Sequence, residues 1–133
     1  MDKYARILVV DDDENISNAV KTILEREDYI VDLAATGKEA IKRTEETAYD
    51  LALLDIRLPD IEGVDLLKLM KDAVPRTRKI MVTGLHHYRN AVAALNKNAD
   101  AYLIKPIDIG KLLSSVKEQL QLREIEKDLA SKR

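Results

Sequence analysis

Short apolar runs alternate with longer amphipathic stretches along this chain. Ala5–Val10 (ARILVV), Tyr29–Ala34 (YIVDLA), Asp50–Leu54 (DLALL), Lys79–Val82 (KIMV) and Ala101–Ile104 (AYLI) read as five strands. The first, third and fourth are apolar almost throughout, as expected of parallel strands covered by helices on both faces. Between the strands the period changes. Ile16, Ala19, Val20, Ile23 and Leu24 recur at i, i+3, i+4 spacing, the stripe of a first helix. Residues 36–39 (TGKE) have the form of a capping box opening a second. Val64, Leu66, Leu67 and Met70 form the apolar side of a third, with Pro75 just past its end. Tyr88, Ala91, Val92 and Leu95 mark a fourth, and Asp108 is the expected N-cap of a fifth. Repeated strand–helix units predict an α/β fold with right-handed crossovers.

The 133 residues suit one domain with one core, and 46% apolar with 35% charged residues is a globular balance. A net charge of −2, with basic residues scattered among acids, offers no field for nucleic acid or anionic lipid. The absence of cysteine excludes disulfides, thiolate metal sites and thiol catalysis. The N-terminus lacks a secretory pattern, and no run approaches the roughly 20 apolar residues of a membrane span, so a cytoplasmic location is expected.

In open α/β sheets, sites form beyond the carboxyl ends of the strands. Here the first strand runs into Asp11, Asp12, Asp13 and Glu14, the third ends at Asp55, the fourth at Thr83, and the fifth at Lys105-Pro106. Parallel strands would bring all of these to one rim. Asp13 and Glu14 read as a helix start, because acids favour helix N-termini. Gathered carboxylates repel, and oxygen donors without histidine or thiolate favour Mg²⁺ or a similar hard cation over zinc. A carboxylate can also act as a nucleophile and form an acyl phosphate. Phosphoryl transfer needs chiefly positioning and charge neutralisation, which a cation, the Lys105 ammonium and the Thr83 hydroxyl could supply.

The fragments VVDDDE (9–14), LALLDIRLPDIEG (51–63), MVTG (81–84) and NADAYLIKPI (98–107) together resemble the receiver domain of two-component response regulators, over about residues 5–121. The resemblance implies a flavodoxin-like, doubly wound, five-stranded parallel sheet of order 2-1-3-4-5. It implies that Asp55 is the phosphorylated aspartate. Asp12 would be the main acidic ligand of Mg²⁺, joined by Asp11, Asp55 and the backbone carbonyl of Arg57. Thr83 and Tyr102 would form the switch pair and Lys105 would bind the phosphate. The bond to Pro106 would be cis. Arg57 and Leu85 would tune the lifetime of the phosphate. The phosphoryl donor would be a sensor histidine kinase, and the domain would catalyse only its own phosphorylation and dephosphorylation.

Two other readings stand beside this one. A Mg²⁺-dependent phosphohydrolase with an aspartyl-phosphate intermediate would ordinarily carry an acid two residues after its nucleophile, where this chain has Arg57. A degenerate interaction module would not need Asp11, Asp12, Asp55, Thr83 and Lys105 together. His86 and His87 point in different directions from a helix and read as surface residues. Neither a GxGxxG nor a GxxxxGK[ST] loop is present, so the chain is not expected to use ATP itself.

The last predicted helix carries a stripe at Ile109, Leu112, Leu113, Val116 and Leu120, then a second at Leu122, Ile125 and Leu129. At about 100° per residue the second lies opposite the first and cannot pack on the sheet. The receiver would span residues 1–121, and residues 122–133 would form a helical extension or the start of a linker. A twin chain or an output domain is the partner expected for that second stripe. Its alternating charges suit an exposed helix.

Overall fold

The strands that the apolar runs predict assemble into one parallel sheet. The computed structural model describes residues 4–84 and 98–132. Among them are β1 (Arg6–Val10), β2 (Ile30–Ala34), β3 (Leu51–Asp55), β4 (Arg78–Gly84) and β5 (Ala101–Lys105). Their order is β2-β1-β3-β4-β5, with every neighbouring pair parallel. The helices are α1 (Glu14–Glu25), α2 (Gly37–Glu46), α3 (Gly63–Ala73) and a C-terminal helix (Ile109–Ser131). The expected helix of Tyr88, Ala91, Val92 and Leu95 lies outside the described residues, as do Leu85, His86 and His87.

Successive strand residues point to opposite faces, and both faces of this sheet are covered. Leu8, Val10, Ala52, Leu54 and Met81 pack with Ala40, Leu66, Leu67 and Met70 of α2 and α3. Ile7, Val9, Leu51, Leu53, Ile80 and Val82 pack with Val20 and Leu24 of α1 and with Leu112 and Val116 of the C-terminal helix. Two-sided cover explains why the central strands are apolar throughout rather than alternating. At about 1.5–3 kcal/mol per large side chain, these layers are the main favourable contribution to folding.

The helix starts follow their local chemistry. Asp13 caps α1, accepting from the amides of Asn15 and Ile16. Thr36 caps α2 by accepting from the Glu39 amide at 3.0 Å. The reciprocal bond of the capping box runs to Ala35, whose amide donates to Glu39 Oε1 at 2.7 Å. Asp108 caps the C-terminal helix through the Lys111 amide.

Two features depart from what residue type alone suggests. Lys79 is only 2% exposed. Its ammonium donates to the carbonyls of Val74 at 2.9 Å and Thr77 at 2.6 Å, closing the end of α3, and burial lowers its pKa. The charges of the C-terminal extension are not merely solvated. Arg78 of β4 donates to Gln119 at 3.0 and 2.8 Å and to Glu126 at 2.6 Å, and Arg123 pairs with Asp50 at 2.9 Å. The helix therefore runs unbroken through residue 122, held by its polar side, while Leu122, Ile125 and Leu129 stay exposed.

Gly63 opens α3 directly against the end of β3. Its amide donates to the Ile56 carbonyl at 2.7 Å. A Cβ at this position would sit 2.5 Å from Ile56 Cα and 2.8 Å from the Asp55 carbonyl oxygen. Those obstacles are backbone atoms, which cannot swing aside. Gly63→Ala is expected to lower unfolding stability by about 1–3 kcal/mol through overpacking, measured by denaturant titration. Unchanged stability would show that α3 can shift at no cost.

Candidate functional site

The parallel order brings the carboxyl ends of β1, β3, β4 and β5 to one rim. Asp11, the first residue past β1, is anchored where its amide donates to the Ala34 carbonyl at 3.0 Å. Its Oδ1 accepts from the Asp13 amide at 2.9 Å. Asp55 is the last residue of β3, and the chain beyond it is held by the Ile56 amide, which donates to the Val82 carbonyl at 3.0 Å. Both carboxylates are buried, whereas Asp12 is exposed. One oxygen from each of Asp11, Asp12 and Asp55 can lie within 4.8 Å of the others.

Lys105 ends β5 opposite Gly84 of β4. Its Nζ stands 3.4 Å from Asp11 Oδ2 and 3.4 Å from Asp55 Oδ2. The Lys105–Pro106 peptide bond is cis. The Arg57 amide donates to Asp55 Oδ1 at 3.3 Å. Together with Asp13, Ile56, Leu58 and Gly84, these residues line an open cleft of about 590 Å³.

Burial pushes the Asp55 carboxyl above its ordinary range, and the Asp11 charge adds to this; Lys105 and the Arg57 amide offset it only in part. Burial opposes the Lys105 ammonium as well, but the Asp55 and Asp11 charges outweigh it and raise its pKa. Three carboxylates facing one ammonium leave an excess of negative charge that a divalent cation would neutralise. Every side-chain donor is a carboxylate oxygen, the set that suits a small hard cation.

Thr83 and Tyr102 stand apart from this cleft. Thr83 is fully buried, and its hydroxyl donates to the Gly84 carbonyl at 3.2 Å. Tyr102 pairs across the ladder with Met81 and packs on the α2–α3 side of the sheet. Since Thr83 follows Met81 by two residues, Thr83 and Tyr102 share one face of the sheet. Among the described residues that line the cleft, Gly84 represents the end of β4 and Thr83 does not.

The loop after Asp55 and the first residue of α3 hold two groups that residue type did not single out. Asp60 accepts from the amides of Gly37 and Lys38, both at 2.9 Å, at the start of α2. Gly63 makes the close approach described above. Both lie inside the fragment LALLDIRLPDIEG, but nothing in the spacing announces a contact between Asp60 and residues 22 and 23 positions earlier.

A family model, the response regulator receiver domain, matches residues 7–117. The chain is 34% identical over 124 residues to response regulator ArlR of Staphylococcus saprophyticus, covering 93% of this chain and 56% of that protein. It is 33% identical over 124 residues to regulatory protein AtoC of Escherichia coli strain K12, covering 93% of this chain and 27% of that one. It thus spans only part of the length of these relatives. The crystal structure of a CheY-like receiver domain protein from Methanospirillum hungatei JF-1 matches with a TM-score of 0.87 at 45% identity, covering 93% of this chain and 99% of that one. NtrX from Brucella abortus matches with a TM-score of 0.91 at 27% identity, covering 98% of this chain and 30% of its own. The order of the strands and the acidic rim they build agree with that match, and the chain belongs to the response regulator receiver domain family.

Proposed function

We propose that this domain accepts a phosphoryl group on Asp55 from the phosphohistidine of a sensor kinase, and that the modified state changes a protein-binding surface. The observation that carries the reading is the convergence of Asp11, Asp12 and Lys105 on the buried carboxylate of Asp55, from three separate strand ends. A carboxylate oxygen of Asp55 forms the new O–P bond as the P–N bond of the phosphohistidine breaks, and the departing imidazole nitrogen recovers a proton from solvent. The Lys105 ammonium, already 3.4 Å from Asp55 Oδ2, offsets the charge that arrives. Asp11, Asp12, Asp55 and the Arg57 carbonyl would hold Mg²⁺, whose contribution is to neutralise phosphoryl oxygens.

Thr83 and Tyr102 are the proposed switch pair. The Thr83 hydroxyl now makes a long bond to the adjacent carbonyl, which a stronger acceptor on Asp55 could replace at small cost. Its turn inward would alter the face it shares with Tyr102. The shift can be no larger than the difference in interaction of the phosphoryl group with the two states. Reaction with external phosphate esters is not expected, since the exposed Arg57 stands where such an enzyme would need an acid.

A phosphohistidine must be delivered to this rim by a protein surface. An apolar groove of about 510 Å³ adjoins the cleft and shares Lys105 with it; Ala19, Ile23, Pro106 and Ile107 are among its walls. It is the proposed seat for an apolar face of the kinase. The segment 122–133 remains a proposed extension toward a second chain or an output domain.

Incubation with acetyl phosphate and Mg²⁺ should add the mass of one phosphoryl group to the wild type and none to Asp55→Asn. A labelled Asp55→Asn would remove Asp55 as the acceptor. Ala19→Arg should suppress transfer from the kinase while leaving acetyl phosphate labelling intact; equal loss of both would locate the defect in the cleft instead.

The raised pKa of Asp55 also fixes the sign of a pH effect. Without metal, the folded state holds the Asp55 proton to a higher pH than the unfolded chain does. Its ionisation therefore costs stability, a cost absent below the unfolded pKa near 4 and complete above the folded one. Metal-free Asp55→Asn should melt above the wild type at neutral pH, and the gap should close on acidification. A gap that widened with acid would contradict the burial of this charge.

A further inference from the structure

Seven residues, Ile56–Glu62, leave the end of β3 and return at the start of α3. The base of this excursion is closed by the Gly63 amide on the Ile56 carbonyl at 2.7 Å and by a bridge between Arg57 and Glu62. Its tip is held by something else. Asp60 reaches across to α2, where Oδ1 accepts from the Gly37 amide and Oδ2 from the Lys38 amide, each at 2.9 Å. The next residue, Ile61, presses its Cγ2 against the face of Gly37, where any side chain would collide with it. Asp60 is exposed, yet both of its oxygens are engaged.

The start of α2 makes this contact more than a surface bond. A helix leaves its first N–H groups without internal partners. In α2 the Glu39 amide is taken by Thr36, and the Gly37 and Lys38 amides by Asp60. Of these three amides, one is thus capped from within and two by a carboxylate from a distant loop. A charged acceptor at a helix N-terminus also gains from the helix dipole. The same loop begins at Asp55, donates the Arg57 amide to Asp55 Oδ1, and lines the cleft with Arg57 and Leu58.

We propose that Asp60 is a positioning residue for the acceptor loop: by tying the loop tip to the N-terminus of α2 it holds residues 55–57 in the arrangement that binds the divalent cation. This rests on the acceptor reading above. A loop with a free tip would sample many conformations, and the cation would have to meet the entropy of ordering it. With the tip tied, that cost is met on folding. The coupling is reciprocal, so cation binding at the rim should in turn steady the first amides of α2.

The test is a calorimetric titration of the metal-free chain with Mg²⁺, using wild type, Asp60→Ala, Asp60→Asn and Thr36→Ala. Thr36→Ala removes the local cap of the same helix without touching the loop, and controls for mere destabilisation of α2. Asp60→Ala should weaken Mg²⁺ binding by about 10-fold or more, the loss typical of a group that orients metal ligands. Asp60→Asn, which keeps one acceptor, should fall between it and the wild type. Thr36→Ala should lower the melting temperature and leave the affinity unchanged. In the metal-free protein, amide exchange at Gly37 and Lys38 should be faster in Asp60→Ala; in the wild type, Mg²⁺ should slow it. Unchanged affinity in Asp60→Ala, or an equal loss in Thr36→Ala, overturns the proposal. A wild type that binds no Mg²⁺ overturns the acceptor reading first, and the proposal with it.

Discussion

Mutual repulsion among carboxylates at the sheet rim is the constraint around which this domain is arranged. Asp11 and Asp55 emerge from strands buried on both faces and have little water to screen them. At about 4 Å and an effective dielectric near 20, two like charges repel by about 4 kcal/mol before relaxation. Lys105 offsets part of this, and the upward shift at Asp55 comes first from its burial and then from the Asp11 charge. The packed layers on either side of the sheet supply the free energy that holds these acids together. A site stressed in this way has a built-in affinity for positive charge and a carboxylate ready for chemistry.

The loops around the rim are braced rather than loose. Asp11 accepts from the Asp13 amide, Asp13 caps α1, and Asp60 caps α2. In each case an acid belonging to a rim loop serves a backbone donor that would otherwise be open to water. Backbone order at helix starts and side-chain order at the cleft thereby depend on the same few carboxylates. This is an economical way to hold a cluster of acids on loops, which by themselves hold geometry poorly.

Strand β4 links the two ends of the molecule. Arg78 at its start grips Gln119 and Glu126 of the C-terminal helix, and Gly84 at its far end lines the cleft. The helix is held by polar contacts, while its apolar residues Leu122, Ile125 and Leu129 stay exposed, Ile125 bordering a cleft shared with Tyr4, Ala5 and Tyr29. An exposed stripe fixed in orientation is a different object from a frayed tail, because its direction relative to the acidic rim is set by the fold.

The sequence by itself determined the α/β class, the places of the strands, the caps at Thr36 and Asp108, and a helix start at Asp13 and Glu14, because hydrophobic period and capping chemistry act over a few residues. It also placed Asp11, Asp12, Asp55 and Lys105 at strand ends, from which parallel order carries them to one rim, while Thr83, one residue short of the end of β4, does not line the cleft. Only the tertiary structure decided that the Thr83 hydroxyl turns to its neighbour's carbonyl, that Lys79 is buried against the end of α3, that Asp60 caps a helix more than 20 residues earlier, and that Arg78 and Arg123 clasp the last helix. Each of those contacts joins segments or rotamers that no local pattern relates. They follow from the packing of elements against one another, which settles where a polar side chain finds its partner.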